Sequence, residues 1–182
     1  MEAFSGDGIM IDDKISTIQE IKQAIRRTKP DVLIVDYVQL LTPSNSRDNR
    51  ERQVAEISRE LKKMTSDFDM VVIQLTQLAD KGPGNYRPHG ETYTRESRAI
   101  YHDSNIVIYV HHVTEEKEIE IAHNSTALKE RQNVQTTKEM LKRFEDNDTR
   151  LIEMIVDKNR SGSVGSRYYW FSGPEMAYYP IV

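Results

Sequence analysis

The stretch that decides the fold is DVLIVDYVQLL (31–41), in which the apolar run Val32 to Val35 ends at the carboxylate of Asp36. Short apolar runs bounded by polar residues are typical of buried strands. Two comparable runs follow along the chain, MVVIQL (70–75) and NIVIYV (105–110). The unbroken apolar character of MVVIQL favours burial on both faces, as in a parallel sheet.

Helical patterns separate these predicted strands. ISTIQEIKQAIRR (15–27) begins with a candidate capping box, in which Ser16 caps the helix and Gln19 reaches back. ERQVAEISRELKKMTSDF (51–68) repeats apolar residues every three or four positions, which predicts an amphipathic helix. A short helix is expected around 95–102. The predicted apolar stripes are Ile18, Ile21 and Ile25 in the first helix and Val54, Ile57, Leu61, Met64 and Phe68 in the second.

The alternation of helices and strands predicts an α/β fold with a mainly parallel sheet that is covered by helices. Near the C-terminus, RLIEMIVDKN (150–159) and RYYWFSG (167–173) are predicted to be two strands joined by a glycine-containing turn. This hairpin would add antiparallel strands at one edge of the sheet. The charge-dense segment 114–149 is expected to form a solvated helical insertion, and 79–94 a long functional loop.

Composition excludes several classes of protein. The formal net charge of −4 argues against a protein that binds nucleic acid by bulk charge, although a local basic loop remains possible. The chain has no cysteine, which excludes disulfides and thiolate metal sites. His111 and His112 are adjacent on a predicted strand and point in opposite directions, which disfavours a transition-metal site. With short apolar runs and no secretory pattern, we expect a cytoplasmic chain with no membrane partner.

Asp36 is a candidate magnesium ligand, because Mg2+ prefers oxygen ligands and retains waters beside nucleotide phosphates. The alternative is an acid that merely ends a strand, as apolar strands of α/β domains often do. The glycine-rich loop that would grip the phosphates, G-x-x-x-x-G-K-[ST], is absent, since none of the eight glycines precedes a lysine. The sequence therefore predicts a magnesium acid in an incomplete phosphate site.

Three further groups of polar residues are candidates for binding phosphate or nucleic acid. Gln77 follows the second predicted strand, where ligands bind in open α/β sheets, and a loop cap is the alternative. Lys158 and Arg160 alternate with polar residues before a glycine turn, so they form either a phosphate-binding pair or an ordinary basic hairpin tip. Arg95 and Arg98 share one face of the short predicted helix, which either binds phosphate or is a solvated surface helix.

Taken in order, these stretches resemble the C-terminal motor domain of DnaB-type replicative DNA helicases. The resemblance covers most of 9–113 and 150–172, and it rests on DVLIVDYVQLL, NRERQVAEISRELKKM, VVIQLTQL, RP, TRESRAIYHDSNIVIYV and VDKNRSGSVG. It implies a RecA-like three-layer fold that is incomplete at its N-terminal side. It also implies a hexameric ring that couples hydrolysis of ATP, with Mg2+, to movement along single-stranded DNA in a bacterial cell or a phage-infected host.

The resemblance also implies roles for individual residues. Asp36 resembles the Walker B acid that positions magnesium, and Gln77 the strand-end glutamine that links the γ-phosphate site to the DNA loops. Lys158 and Arg160 resemble the paired cations that reach the nucleotide of the neighbouring subunit. The resemblance therefore implies a catalytic and nucleotide-binding group of four residues: Asp36, Gln77, Lys158 and Arg160.

Arg95 and Glu96 match the RES of the family's DNA-contacting loop. The chain departs from the family pattern at three places. Arg98 stands where the family usually has a small residue, so Arg98 either contacts DNA through its side chain or blocks a backbone contact. The phosphate loop and the glutamate after it are expected upstream of Met1. The insertion at 114–149 is longer than the resemblance leads us to expect.

Three functional hypotheses follow from these residues. In the first, the chain is the C-terminal part of a replicative helicase whose phosphate loop lies on a partner chain. In the second, it is a non-catalytic module that binds and regulates a complete helicase ring. In the third, it is a shortened reading frame. The first explains best why Asp36, Gln77, Lys158 and Arg160 occur together.

Overall fold

The computed structural model describes two units of the chain, each considered by itself. The first unit comprises residues 1–79 and 94–104, and the second comprises 80–93 and 105–182. The residues described are 4–6, 8–45, 47–78, 87–91, 98–113 and 148–180.

The first unit contains helices packed beside a short parallel sheet. Its elements are β1 Phe4–Gly6, β2 Ile9–Ile11, α1 Ile18–Thr28, β3 Val32–Val35, a 3-10 helix at Val38–Leu40, α2 Arg50–Asp67, β4 Val71–Gln74 and α3 Arg98–Asp103. Strands β1 and β2 form an antiparallel hairpin, whereas β3 and β4 pair in parallel, with Val32 opposite Val71.

Helix α1 has the predicted capping box, but one residue later than the sequence pattern indicated. Thr17 is the N-cap, and its Oγ1 accepts a hydrogen bond from the Glu20 N–H at 3.2 Å. Glu20 Oε2 in turn accepts from the N–H groups of Thr17 and Ser16, each at 2.9 Å. The predicted pair of Ser16 and Gln19 is therefore wrong, because a charged carboxylate is a stronger acceptor for these N–H groups than an amide.

The predicted apolar stripes of α1 and α2 form the core of the first unit. In α2, Val54, Leu61 and Met64 have no solvent exposure. These side chains cluster with the isoleucines of α1 and with Ile100 of α3. The helical periodicity of the sequence is thus confirmed, and Phe68, the last residue of the α2 stripe, is packed against this cluster at the helix C-cap.

The prediction that β4 is buried on both faces is wrong for the described residues. Leu33, Val35 and Val72 pack against the helical core, whereas the opposite face of the sheet is exposed. The exposed side chains are Val32, Ile34, Val71 and Ile73, with exposed fractions between 43% and 61%. Apolar composition alone does not tell one covered face from two, because the second face needs a second layer of structure.

The second unit is a four-stranded antiparallel sheet with the order β5-β6-β7-β8. Its strands are β5 Ile106–His112, β6 Thr149–Asn159, β7 Gly165–Ser172 and β8 Ala177–Pro180. The predicted C-terminal hairpin is confirmed as β6 and β7. The antiparallel part is larger than predicted, because β5 pairs with β6 and β8 adds a further edge strand.

The predicted helical insertion lies almost entirely outside the described residues, which resume at Asp148, and β6 begins at Thr149. Within the part of the chain that the structure describes, no helix is both long and apolar enough to cross a membrane.

Candidate functional site

The parallel pair β3–β4 brings two predicted site residues to the same edge of the sheet. Val35 is opposite Gln74, so both strands end at the same level. Asp36 directly follows β3, and Gln77 comes three residues after β4. Both side chains are exposed. The carboxyl ends of parallel strands are where open α/β sheets bind their ligands.

Hydrogen bonds continue between the two segments beyond the strands. The Leu75 N–H donates to the Val35 carbonyl oxygen at 2.9 Å, and the Val38 N–H donates to the Leu75 carbonyl oxygen at 3.0 Å. Gln39 Nε2 then donates to Thr76 Oγ1 at 2.6 Å. Asp36 and Gln77 therefore lie on two segments whose backbones are hydrogen-bonded to each other.

The side chains at this edge offer oxygen atoms, which are the atoms that Mg2+ prefers as ligands. Among the described residues, the Oε1 atoms of Gln39 and Gln74 are buried and have no hydrogen-bond partner. Arg50 Nη2 donates to the Gln39 carbonyl oxygen, which ties the segment after β3 to helix α2. No group of three or more metal-ligating His, Cys, Asp or Glu side chains occurs within the described ranges. The exposed Asp36 carboxylate fits Mg2+ that takes its other ligands from phosphates and water.

Lys158 and Arg160 lie in the second unit, at the end of β6. Lys158 is half-buried and opposite Val107, whereas Arg160 is exposed and lies just past the strand. The Arg160 N–H donates to the Asn105 carbonyl oxygen at 3.0 Å. The register shifts beside this point, which leaves Asp157 as the extra residue of a β-bulge. A bulge re-aims the side chains that follow it, here the two predicted cations.

The turn after Arg160 is held by the side chain of Asn159. Asn159 Oδ1 accepts from the Ser161 N–H at 3.2 Å, and its Nδ2 donates to the Ser163 carbonyl oxygen at 3.2 Å. A Cβ at Gly162 would come within 2.7 Å of Asn159 Nδ2. A side chain at Gly162 would therefore displace the Asn159 amide, whose hydrogen bonds hold the turn.

The predicted DNA-binding residues are only partly described. Arg98 is exposed and is the first residue of α3. Arg95 and Glu96 lie outside the described residues. His111 is buried and His112 is exposed, as their alternation on β5 predicted.

Sequence reasoning missed a cluster that joins residues 87–91 to the sheet of the second unit. Arg87 Nε donates to Glu153 Oε2 at 2.9 Å, and Arg87 Nη2 donates to Glu153 Oε1 at 2.8 Å. The Gly90 N–H donates to Asp157 Oδ2 at 2.9 Å, and Tyr109 Oη donates to the Gly90 carbonyl oxygen at 2.6 Å. The available signal was a glutamate in the apolar strand RLIEMIV, since strand carboxylates are rarely buried without a partner.

The electrostatics of Glu153 depend on this cluster. Burial raises the pKa of the Glu153 carboxyl, but hydrogen bonds from Arg87 and Ser166, with the charge of Arg87, outweigh burial and hold the pKa below its usual value. The carboxylate is therefore ionised in the folded chain at neutral pH although its side chain is only 3% exposed.

Comparison with known proteins decides the family. Residues 1–179 match the family described as the DnaB-like helicase C terminal domain. The chain belongs to this family. It is 31% identical over 179 residues to the replicative DNA helicase DnaC of Bacillus subtilis, covering 91% of this chain and 32% of that protein. It is 27% identical over 176 residues to the replicative DNA helicase DnaB of Helicobacter pylori, covering 88% of this chain and 36% of that protein.

Solved structures of DnaB-like proteins support the same assignment. A DnaB-like replicative helicase, studied with its interactions with primase, matches with a TM-score of 0.66 and 25% identity over 93% of this chain and 37% of that one. An ATPase domain matches with a TM-score of 0.65 and 26% identity over 90% of this chain and 51% of that one. The predicted RecA-like fold class is therefore confirmed. The chain spans about a third of the length of the curated DnaB-like relatives described above.

Proposed function

We propose that this chain forms part of the motor of a DnaB-type replicative helicase, which uses ATP and Mg2+ to move along single-stranded DNA and unwind the duplex. The observation that carries the proposal is the shared sheet edge of Asp36 and Gln77, in a chain of the DnaB-like family. At that edge Asp36 would hold Mg2+ against the nucleotide phosphates, while Gln77 would sense the γ-phosphate.

Lys158 and Arg160 are proposed to bind nucleotide held by a neighbouring subunit of a hexameric ring. Their support is the tight turn held by Asn159 and the exposure of Arg160 at its start. An arginine placed across a subunit boundary stabilises the charge that develops on the transferring phosphoryl group. A lysine beside it acts as a point charge toward the same phosphates.

Arg95, Glu96 and Arg98 are proposed to contact single-stranded DNA. The support is the family match together with the exposed position of Arg98 at the start of α3. Because the chain carries a net negative charge, binding would depend on a few local basic groups that a ring repeats. Arg98 would then bind a DNA phosphate through its side chain.

The phosphate loop is proposed to come from polypeptide outside these 182 residues, since they contain no G-x-x-x-x-G-K-[ST] sequence. That loop supplies the backbone N–H groups and the lysine that hold the phosphates. In this proposal, residues 1–182 are one part of a RecA-like motor domain that carries an insertion at about 114–149. The genomic sequence upstream of Met1 shows directly whether the loop precedes this chain or lies elsewhere.

The test is ATP hydrolysis by this chain mixed with a polypeptide that carries the phosphate loop, with and without single-stranded DNA. We expect little hydrolysis by either chain alone and DNA-stimulated hydrolysis by the mixture. Asp36→Asn is expected to lower the rate by about a hundredfold or more, because it weakens the magnesium site. Asp67→Asn, at an exposed position near the end of α2, is the matched control.

Two outcomes would contradict this proposal. If the mixture with the Asp36→Asn variant hydrolyses ATP as fast as the mixture with the original chain, Asp36 does not bind the Mg2+ that hydrolysis needs. A chain that never supports hydrolysis but lowers the activity of a complete helicase ring would instead establish the non-catalytic regulator.

A further inference from the structure

We propose that the exposed apolar face of the β3–β4 sheet docks the polypeptide that carries the phosphate loop, and that the helix behind that loop lies across this face. The inference rests on the proposed function, in which the loop comes from outside these 182 residues. It adds where that polypeptide binds and which part of it makes the contact.

The face consists of two cross-strand pairs of apolar side chains and one residue beyond them. Val32 lies opposite Val71, and Ile34 lies opposite Ile73. Leu75 continues the same alternation past β4, where its N–H remains hydrogen-bonded to the end of β3. The exposed fractions of these five side chains lie between 42% and 61%. None of the five is polar, so the sheet leaves a contiguous apolar patch at the surface, which is typical of an interaction site.

The opposite face of the same sheet is already occupied. Leu33, Val35 and Val72 pack against the core that is formed by helices α1, α2 and α3. Parallel strands of α/β proteins are normally covered by helices on both faces. The layer that the free face requires is therefore helical, and the three described helices of this unit all belong to the occupied face.

The free face is continuous with the candidate magnesium ligand. Asp36 directly follows β3, and strand alternation places it on the same side as Ile34. A phosphate loop joins a strand to a helix, and its lysine and backbone N–H groups hold the phosphates beside the magnesium ion. The helix behind the loop then begins near Asp36 and runs back over the face on which Asp36 lies.

The size of the face fits one helix. Four residues of a strand span about 13 Å, and neighbouring strands lie about 4.8 Å apart. An α-helix is about 10 Å across and rises about 1.5 Å per residue, so roughly nine residues cover both strands. The docked helix should therefore carry apolar residues at i, i+3 or i+4, and i+7. The solved ATPase domain described above is matched over 51% of its length, which leaves a comparable length of that domain to supply such a layer.

A single introduced thiol reports whether the face is covered, because the chain contains no cysteine. Ile73→Cys places the thiol on the face, and Ser66→Cys, at an exposed position of α2, is the matched control. The probe is the polypeptide from the same genome that carries G-x-x-x-x-G-K-[ST]. Where that sequence is fused upstream of Met1, the chains with and without it are compared.

Two measurements are made on the full chain, at a concentration low enough to keep it monomeric. Mass spectrometry follows the rate of maleimide labelling of each thiol with and without the probe. Sedimentation velocity of the mixture measures the affinity for the probe. Circular dichroism confirms that each variant is folded before either measurement is interpreted.

With the probe at about ten times its Kd, labelling of Ile73→Cys should slow by about tenfold, because only the free chain reacts. Labelling of Ser66→Cys should not change. Ile34→Glu with Ile73→Glu should weaken binding of the probe by about a hundredfold, since docking would bury two carboxylates without partners. Gln19→Glu with Ser66→Glu adds the same charge at exposed polar positions and should leave binding unchanged.

A probe that binds while Ile73→Cys stays equally reactive would overturn the inference, and so would a probe that does not bind the chain. Protection that appears without the probe, and that the probe does not displace, would assign the face to a second copy of the chain and also overturn it. The proposed function fails separately. If the probe protects Ile73→Cys but the mixture hydrolyses no ATP, the docking face stands and the motor function does not.

Discussion

At the scale of single residues, Glu153 is where burial and charge oppose each other most directly. Its carboxylate is stabilised by Arg87 and Ser166 against the effect of burial, which lowers its pKa in the folded chain. A carboxyl group with a lowered folded pKa contributes stability that is present above its unfolded pKa and is lost as the pH falls through the folded pKa. Part of the acid sensitivity of the fold should therefore come from this one side chain.

Glu153→Gln is expected to remove that part of the pH dependence. The variant should be less stable than the original chain at pH 7, and the difference should shrink as the pH falls through and below the ordinary glutamate range. Urea unfolding followed by circular dichroism across this pH range measures both effects. Glu60→Gln serves as a control with a smaller expected effect, because Glu60 is paired with Lys22 at a more exposed position. Parallel pH profiles for Glu153→Gln and the original chain would contradict the account of Glu153.

Sequence patterns predicted the position of some candidate site residues and missed the position of others, for a physical reason. Asp36 and Gln77 were predictable because each directly follows or closely trails an apolar run, and parallel strands end at a common edge. The pair of Arg87 and Glu153 was not, because the two residues are 66 positions apart and meet only after the sheet forms. Local periodicity carries no information on such a pairing.

At the scale of elements, the helices were the most predictable part of the fold. An amphipathic stripe such as that of α2 specifies both the helix and its buried face. Helix ends are less certain, as the capping box of α1 illustrates, since two adjacent hydroxyl residues, Ser16 and Thr17, both precede the helix. The burial of β4 depended on a covering layer, which a strand's own sequence does not specify.

The capping assignment of α1 gives a matched pair of substitutions. Thr17→Ala should lower the free energy of unfolding by about 1 kcal/mol, because it leaves the Glu20 N–H without its side-chain acceptor. Ser16→Ala should have a smaller effect, since the N–H of Ser16 still donates to Glu20. Urea unfolding compares the two variants directly. An equal or larger loss for Ser16→Ala would show that the cap lies one residue earlier.

At the scale of the whole molecule, each unit exposes an apolar face of its sheet. In the first unit this face includes Ile34 and Ile73, and in the second it includes Ile106, Ile108 and Val110. Exposed apolar surface of this kind marks a site of association. These exposed faces predict that the isolated chain associates with itself or with a partner.

The isolated chain is therefore expected to self-associate as its concentration rises. Sedimentation velocity over a range of concentrations should detect larger species, and Ile34→Glu with Ile73→Glu should shift the distribution toward the monomer. Gln19→Glu with Ser66→Glu, at exposed polar positions of α1 and α2, adds the same charge without removing apolar surface and is the control. A strictly monomeric chain at high concentration would contradict this prediction.

The measurement that tests the central claim most directly is DNA-stimulated ATP hydrolysis by the chain and a phosphate-loop polypeptide, with and without Arg160→Ala. If Arg160 completes the nucleotide site of a neighbouring subunit, the substitution should lower the rate by about a thousandfold. The control Arg27→Ala, at an exposed position in the last turn of α1, should leave the rate unchanged. Equal rates for Arg160→Ala and the original chain would contradict the assignment of Arg160 to the nucleotide site of a neighbouring subunit, and a mixture that hydrolyses no ATP would contradict the claim that this chain is a working part of a helicase motor.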